Sequence, residues 1–480
     1  MPNLNITSAQ FNTALQNVQE KYVRLELLNY QYQIVDNLEG VATGGTITIN
    51  ANSDIRRTAS ITMVVTDSSF DVQPSGKIWL DKYVRIYVGI YSYQLGKIEW
   101  TNCGLYIVDA PSYQYDATNS ILSLSLLDLM AKLTGARNGY LEGTPVVLKA
   151  GENIRKAIID TLALGGFTKY VVEEAPDPGT IPNDLEFSQG PTVYTLLAGL
   201  RDIYPGYECF FDIDGTFYYK PIPSGKNDPI LIDDTLLENI VISENINVDF
   251  QNVKNSIEVY GRTHEPAHTS TDVKTSDNEI TANITAVTEY KEDMIYGFTL
   301  KDNKGVTAPK LKINNLVSYP IKMLDGKTDA VIKAETGEIV YCVQFKKTYW
   351  LWLGHLQAYG FAEDTNPKSP YYVKGTVGKI RLPLYGGEYD NCFSDELAQE
   401  RAELELYLHT NMNSTVQLVC VPVSWLDVNI KCSYTSQKMK RKDDYIIKTV
   451  NFGFAQTDNM TIEMIKFYPD TPGLTKYNLI

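Results

Sequence analysis

The chain has 480 residues, 44% of them hydrophobic and 21% charged, which is a globular composition and too long a chain for one core. A formal charge of −15 argues against general affinity for nucleic acid, which needs a positive field. Only 4 histidines stand against 33 tyrosines, a balance that leaves little room for histidine-based catalysis and suits strands and interfaces.

No run approaches the roughly 18 apolar residues of a membrane span, so no stable membrane insertion is expected. The opening Met-Pro-Asn-Leu-Asn-Ile-Thr lacks the basic and apolar regions of a signal peptide, and the expectation is a protein made and assembled in a cytosol. The six cysteines are scattered without a C-x-x-C pair, several of them inside apolar runs, and read as buried free thiols.

Residues 8–20 predict a short amphipathic helix with Phe11, Leu15 and Val18 at helical spacing. Strands are expected over Tyr22–Leu28, Tyr30–Val35 and Gly45–Asn50. Over Ala59–Thr66 strict alternation puts Ala59, Ile61, Met63 and Val65 on a dry face. Tyr83–Ile90 alternates again, and Gly104–Asp109 and Ile121–Leu126 continue the pattern around a turn at Tyr115–Asn119. About seven strands lie in 110 residues with no βαβ alternation, which points to a sandwich or barrel.

The texture changes after residue 130. Glu152–Leu164 and the stretch opened by Pro191 predict two helices, stopped by Gly165-Gly166 and by Pro205-Gly206. A hairpin over Glu208–Ile213 and Thr216–Pro221 turns on Asp214-Gly215. Strand texture resumes at Asn255–Gly261 and Glu279–Val287, with Arg262–Asn278 expected as a polar loop. Further strands include Ile339–Phe345 and the aromatic Tyr349–Leu353. Ser394 caps a helix reaching His409, and Thr415–Val421, Tyr445–Phe452 and Met460–Phe467 close the chain.

Three segments imitate functional signatures. His264-Glu-Pro-Ala-His268 matches H-E-x-x-H, yet Pro266 breaks the helix that would stack both histidines on zinc. Phe211-Asp-Ile-Asp-Gly-Thr216 matches the aspartate nucleophile motif of haloacid-dehalogenase-type phosphatases, but Phe217-Tyr-Tyr-Lys-Pro continues as a strand, so Asp214-Gly215 reads as a hairpin turn. An EF-hand reading fails at Pro223, where a bidentate glutamate belongs. Trp350 and Trp352 with Tyr349 suit a core and rim better than a sugar platform. No residue is assigned as catalytic, cofactor-binding or metal-ligating, and no cofactor is expected.

Taken together, Ser53–Val65, Ile78–Val88, Gly104–Asp109, Asp128–Gly135, Asn255–Gly261, the helix Glu396–His409 and the closing Tyr445–Met464 resemble the tail hub proteins of tailed bacteriophages and phage-like particles, over nearly the whole chain in order. The resemblance implies a mainly β fold with two tail-tube-like β-barrel domains and smaller inserted α/β and β domains. The implied plan is a first barrel over 1–130 and an α/β module with a terminal hairpin over 131–245. A second barrel is built from 246–300 and 396–470, with an inserted β-rich domain at 301–395 and a tail at 471–480. It also implies a non-enzymatic homotrimer in the virion tail tip or baseplate, assembled in the bacterial host cytoplasm, which adapts a six-fold tube to a three-fold tip. Its partners would be the tail tube or distal tail protein above, a tip, spike or tail-lysin protein below, and a tape measure protein. DNA or effectors would pass through its channel without specific binding. The competing readings are a receptor- or glycan-binding tail protein and a tail-associated hydrolase.

Overall fold

The computed structural model describes residues 20–467 except 41, 65–71, 75, 94, 116–119, 144–145, 176–178, 183, 188–189, 205, 225–226 and 412–413. The helix expected over 8–20, the end of the strand expected at 65–66, most of the turn at 115–119 and the tail at 471–480 lie outside the described residues.

The fold is mainly β. Seven strands form the first block: β1 (Lys21–Leu28), β2 (Ile34–Gly40), β3 (Ala42–Asn50), β4 (Arg57–Val64), β5 (Tyr83–Ser92), β6 (Lys97–Tyr115) and β7 (Ser120–Asp128). They pair in the order β3-β4-β7-β6-β5-β1-β2. β2 and β3 are nearly contiguous in the chain, yet β2 pairs with β1 at one edge of this order and β3 with β4 at the other. Strands adjacent in sequence at the two ends of the order bring the sheet towards a closed barrel. The alternation read from the sequence is realised in β4, where Ala59, Ile61 and Met63 are buried and Ser60 and Val64 face solvent.

β3 also pairs on its free side with Lys442–Gly453, from Thr46↔Gly453 to Asn50↔Thr449. Through that seam the first block joins Met460–Lys466, Ser414–Cys420 and Val241–Val248 in one twelve-stranded sheet, with Lys431–Thr435 paired to Lys442–Gly453. Both blocks share a single apolar core, in which Val23, Ile47, Ile61 and Leu124 belong with Leu418, Val450 and Ile462. Burying each such side chain contributes about 1.5–3 kcal/mol.

The α/β module lies between the blocks in sequence. Its helices Ile154–Leu164 and Val193–Arg201 begin at Asn153 and Thr192, whose side chains accept from the backbone N–H groups of Lys156 and Thr195. They pack with the hairpin Tyr207–Phe211 and Phe217–Pro221 around a core that includes Leu129, Leu133 and Phe167.

Two further sheets follow. Ser256–Thr263 pairs with Gln357–Glu363 and Arg381–Tyr385, and helix Asp395–Asn411 packs on them. An eight-stranded sheet contains Ile295–Asn303, Glu335–Lys346 and Tyr349–His355. Ser256–Thr263, Ile295–Asn303 and the helix Asp395–Asn411 thus lie outside the twelve-stranded sheet. Two local expectations are corrected. Residues 262–278 are not a loop, because His268–Ser270 and Val273–Ser276 are strands, the latter hairpinned to Glu279–Ala282. Tyr30–Val35 is not a strand from its start: the Asn29 side chain accepts from the N–H groups of Gln31 and Gln33 and bends the chain, so β2 begins at Ile34.

Candidate functional site

The imitated signatures resolve into ordinary structure. His264 follows the strand Ser256–Thr263, and its backbone N–H donates to Leu356 O at 2.7 Å; His268 opens the strand His268–Ser270, which pairs with Tyr296–Phe298. No helix spans the segment, so the two histidines are not stacked on a helix face. Among the described residues no group of three or more His, Cys, Asp and Glu side chains could hold a metal ion. Asp212 Oδ1 accepts from the N–H groups of Asp214 (2.9 Å) and Thr216 (2.8 Å), and Gly215 sits at φ +73°, which makes a side-chain-capped hairpin turn. Trp350 is fully buried, donates its indole N–H to Leu311 O at 3.0 Å and packs against Tyr290, Tyr296 and Phe345. Trp352 is buried against Tyr341. Neither ring is available to stack on a sugar. All six cysteines are free, four of them buried.

The structure instead concentrates its buried charges where the first block, the α/β module and the closing strands meet. Arg56 precedes β4 and Arg57 opens it, and both are almost fully buried. Arg57 ion-pairs with Asp427 through Nη2, donates from Nη1 to Phe211 O at 2.6 Å, and donates its backbone N–H to Asp128 Oδ2 at 2.8 Å. Asp128 Oδ1 then caps the turn after β7 by accepting from Met130 N–H at 2.8 Å. One arginine of the first block therefore reaches both other bodies through its guanidinium. Burial pulls its affinity for the proton down, but Asp427 and the neighbouring acidic groups more than offset this, so it stays charged.

Arg56 lies 3.7 Å over the centre of the Phe210 ring and ion-pairs with Glu208 on the module hairpin. Glu208 also meets Lys220 at 2.8 Å and accepts from Asn429 Nδ2. Burial pushes this carboxyl up, yet Arg56 and Lys220 outweigh it and hold Glu208 below the usual carboxylate range. Lys448 Nζ donates to Asn429 Oδ1 at 2.8 Å, and burial lowers its ammonium to about 8. The hairpin turn completes the contact: Asn102 on β6 donates to Asp214 Oδ1 at 3.0 Å, and a Cβ on Gly215 would come within 2.8 Å of the Leu105 side chain. Sequence reading missed this junction. Arg56, Arg57, Glu208 and Asp427 carry no spacing signal, and a charge in a strand reads as solvated until its distant partners are known.

A buried ion-pair network of this kind fixes the relative placement of the bodies it joins. The architecture it fixes matches known ones. The structure is similar to the 43 kDa tail protein of prophage MuSo2 from Shewanella oneidensis, with a TM-score of 0.52 at 12% identity over 93% of this chain and 98% of that one. It is also similar to a tail protein from Neisseria meningitidis MC58, with a TM-score of 0.50 at 9% identity over 94% and 98%. The chain has the fold of prophage tail proteins. Residues 368–470 of this tail-protein fold match a family described as a domain of unknown function, DUF5048. That match takes in the helix Asp395–Asn411 and the closing strands of the large sheet. No curated protein matches the sequence.

Proposed function

We propose that this chain is the structural hub of a phage or phage-like tail tip. The observation that carries the reading is the whole-length correspondence: the fold covers 93–94% of this chain and 98% of each of the two prophage tail proteins. In this reading 21–128 is one tube-like barrel and the block of 241–248 with 414–466 is its counterpart, while 131–240 and 256–411 decorate them. Three chains then present six such blocks around a channel, adapting a six-fold tube above to a three-fold tip below. Neighbouring tail components are its partners, and the chain itself is not an enzyme.

A charge of −15 on each copy must stay on exposed faces or line the channel, because unpaired burial is too costly. A channel lined by carboxylates would repel phosphates and let DNA slide, whereas a basic lining would hold it by counterion release. The test is a density map of the native tail tip. Three copies around an acidic channel are expected; two or six copies, or a channel lined by lysine and arginine, would overturn the reading.

A further inference from the structure

The chain leaves the eight-stranded sheet at the end of strand Tyr349–His355 and turns at once into Gln357–Glu363, which belongs to the sheet beneath helix Asp395–Asn411. His355 sits at that crossing. Its Nδ1 lies 2.7 Å from Asp395 Oδ2 on the helix, and its Nε2 lies 3.1 Å from Glu335 Oε2 on a strand of the eight-stranded sheet. A neutral imidazole has one N–H and so can donate to only one of two carboxylates. Two carboxylate partners therefore require the doubly protonated ring.

The surroundings hold the ring in this arrangement. Asp395 also accepts from the backbone N–H groups of His355 and Tyr359, at 3.1 and 2.9 Å, and Glu335 accepts from the Tyr341 hydroxyl at 3.1 Å. The rings of Tyr341 and Tyr359 lie 5.3 and 6.2 Å from the imidazole. Gly354, at φ +95°, leaves room for the carboxylate: a Cβ there would fall 2.0 Å from Asp395 Cγ. The charged groups that face the ring are thus Asp395 from the helix and Glu335 from the strand, with the tyrosines Tyr341 and Tyr359 from the two flanking strands.

We propose that His355 is an ionic latch: as an imidazolium it ties the inserted eight-stranded sheet to the helix Asp395–Asn411 through two carboxylates, and the tie loosens to a single hydrogen bond when it loses a proton. The hydrogen bonds to Asp395 set the direction of the effect. They raise the ring well above its ordinary 6.5, to about 9, against the opposing effect of burial. A base whose proton is held more tightly in the fold stabilises it fully below pH 6.5, and that stabilisation disappears as pH rises through about 9. The latch is therefore closed across the neutral range and loosens on the alkaline side. This inference does not depend on the number of copies in a ring.

The test uses the full chain with ¹⁵N-labelled histidine. Its four histidines can be assigned by single substitutions. Long-range ¹H–¹⁵N spectra should show both His355 nitrogens protonated at pH 7.5 and a midpoint near 9, and Asp395→Asn should bring that midpoint back towards 6.5. Hydrogen exchange, corrected for the intrinsic rate, should rise in 335–346 and in the first turn of the helix between pH 8 and 10. In His355→Gln it should already be raised at pH 7.5 and stay flat with pH. A neutral His355 ring at pH 7.5, or wild-type exchange that stays flat to pH 10, would overturn the proposal.

Discussion

Removing the Arg57 guanidinium would leave Asp427 with an uncompensated charge against the module hairpin and would strip Phe211 O of its donor. Breaking one partner of such a buried pair costs about 3–5 kcal/mol. Arg57→Ala should therefore lose about that much in the first denaturant transition, while Arg57→Met combined with Asp427→Leu should recover most of it. A second residue sets the acid limit. His264 is buried and its ring is lowered by burial to about 4, so the fold favours the neutral form. The sign is opposite to that of a paired histidine: the contribution is present above pH 6.5 and is lost as pH falls from 6.5 through about 4. It amounts to at most about 3 kcal/mol. His264→Leu should flatten the fall of melting temperature over that range. His264 drew attention in the sequence through a zinc signature that Pro266 already argued against, because a four-residue spacing counts only when the backbone is helical.

Elements were far more legible than their partners. Period-two alternation located β4, β5 and β7, and the helical spacing of Ile154, Ile158 and Leu162 located the first module helix, because each pattern reports a local dry face. The hairpin at Asp214-Gly215 was legible from its turn chemistry. The strand Ser256–Thr263 was found, but its sheet was not: alternation says which side of a strand is dry and is silent about which strand lies beside it. The fit between Gln357–Glu363 and the helix Asp395–Asn411 shows how much such unread contacts constrain. Gly360 meets the helix so closely that a Cβ would lie 2.1 Å from the Ala398 carbonyl. Gly360→Ala should push the helix off the strand and cost about 1–3 kcal/mol, the usual penalty of overpacking. A thermal melt checks this, with a change under about 0.5 kcal/mol counting against the close approach.

For the whole molecule, the β3 seam has a mechanical consequence. The five register pairs from Thr46↔Gly453 to Asn50↔Thr449 join residues about 400 positions apart in the chain. Tension applied along these strands loads all five pairs at once, in parallel, whereas a crosswise pull would open them singly. The covalent route between the same two points runs through the module, the inserted eight-stranded sheet and the helix. The seam short-circuits that route. Force passed from one block to the other crosses a few ångströms of sheet, and the eight-stranded sheet and the helix Asp395–Asn411 lie off that load path. Segments that bear no load are free to change length or be exchanged without slackening the frame.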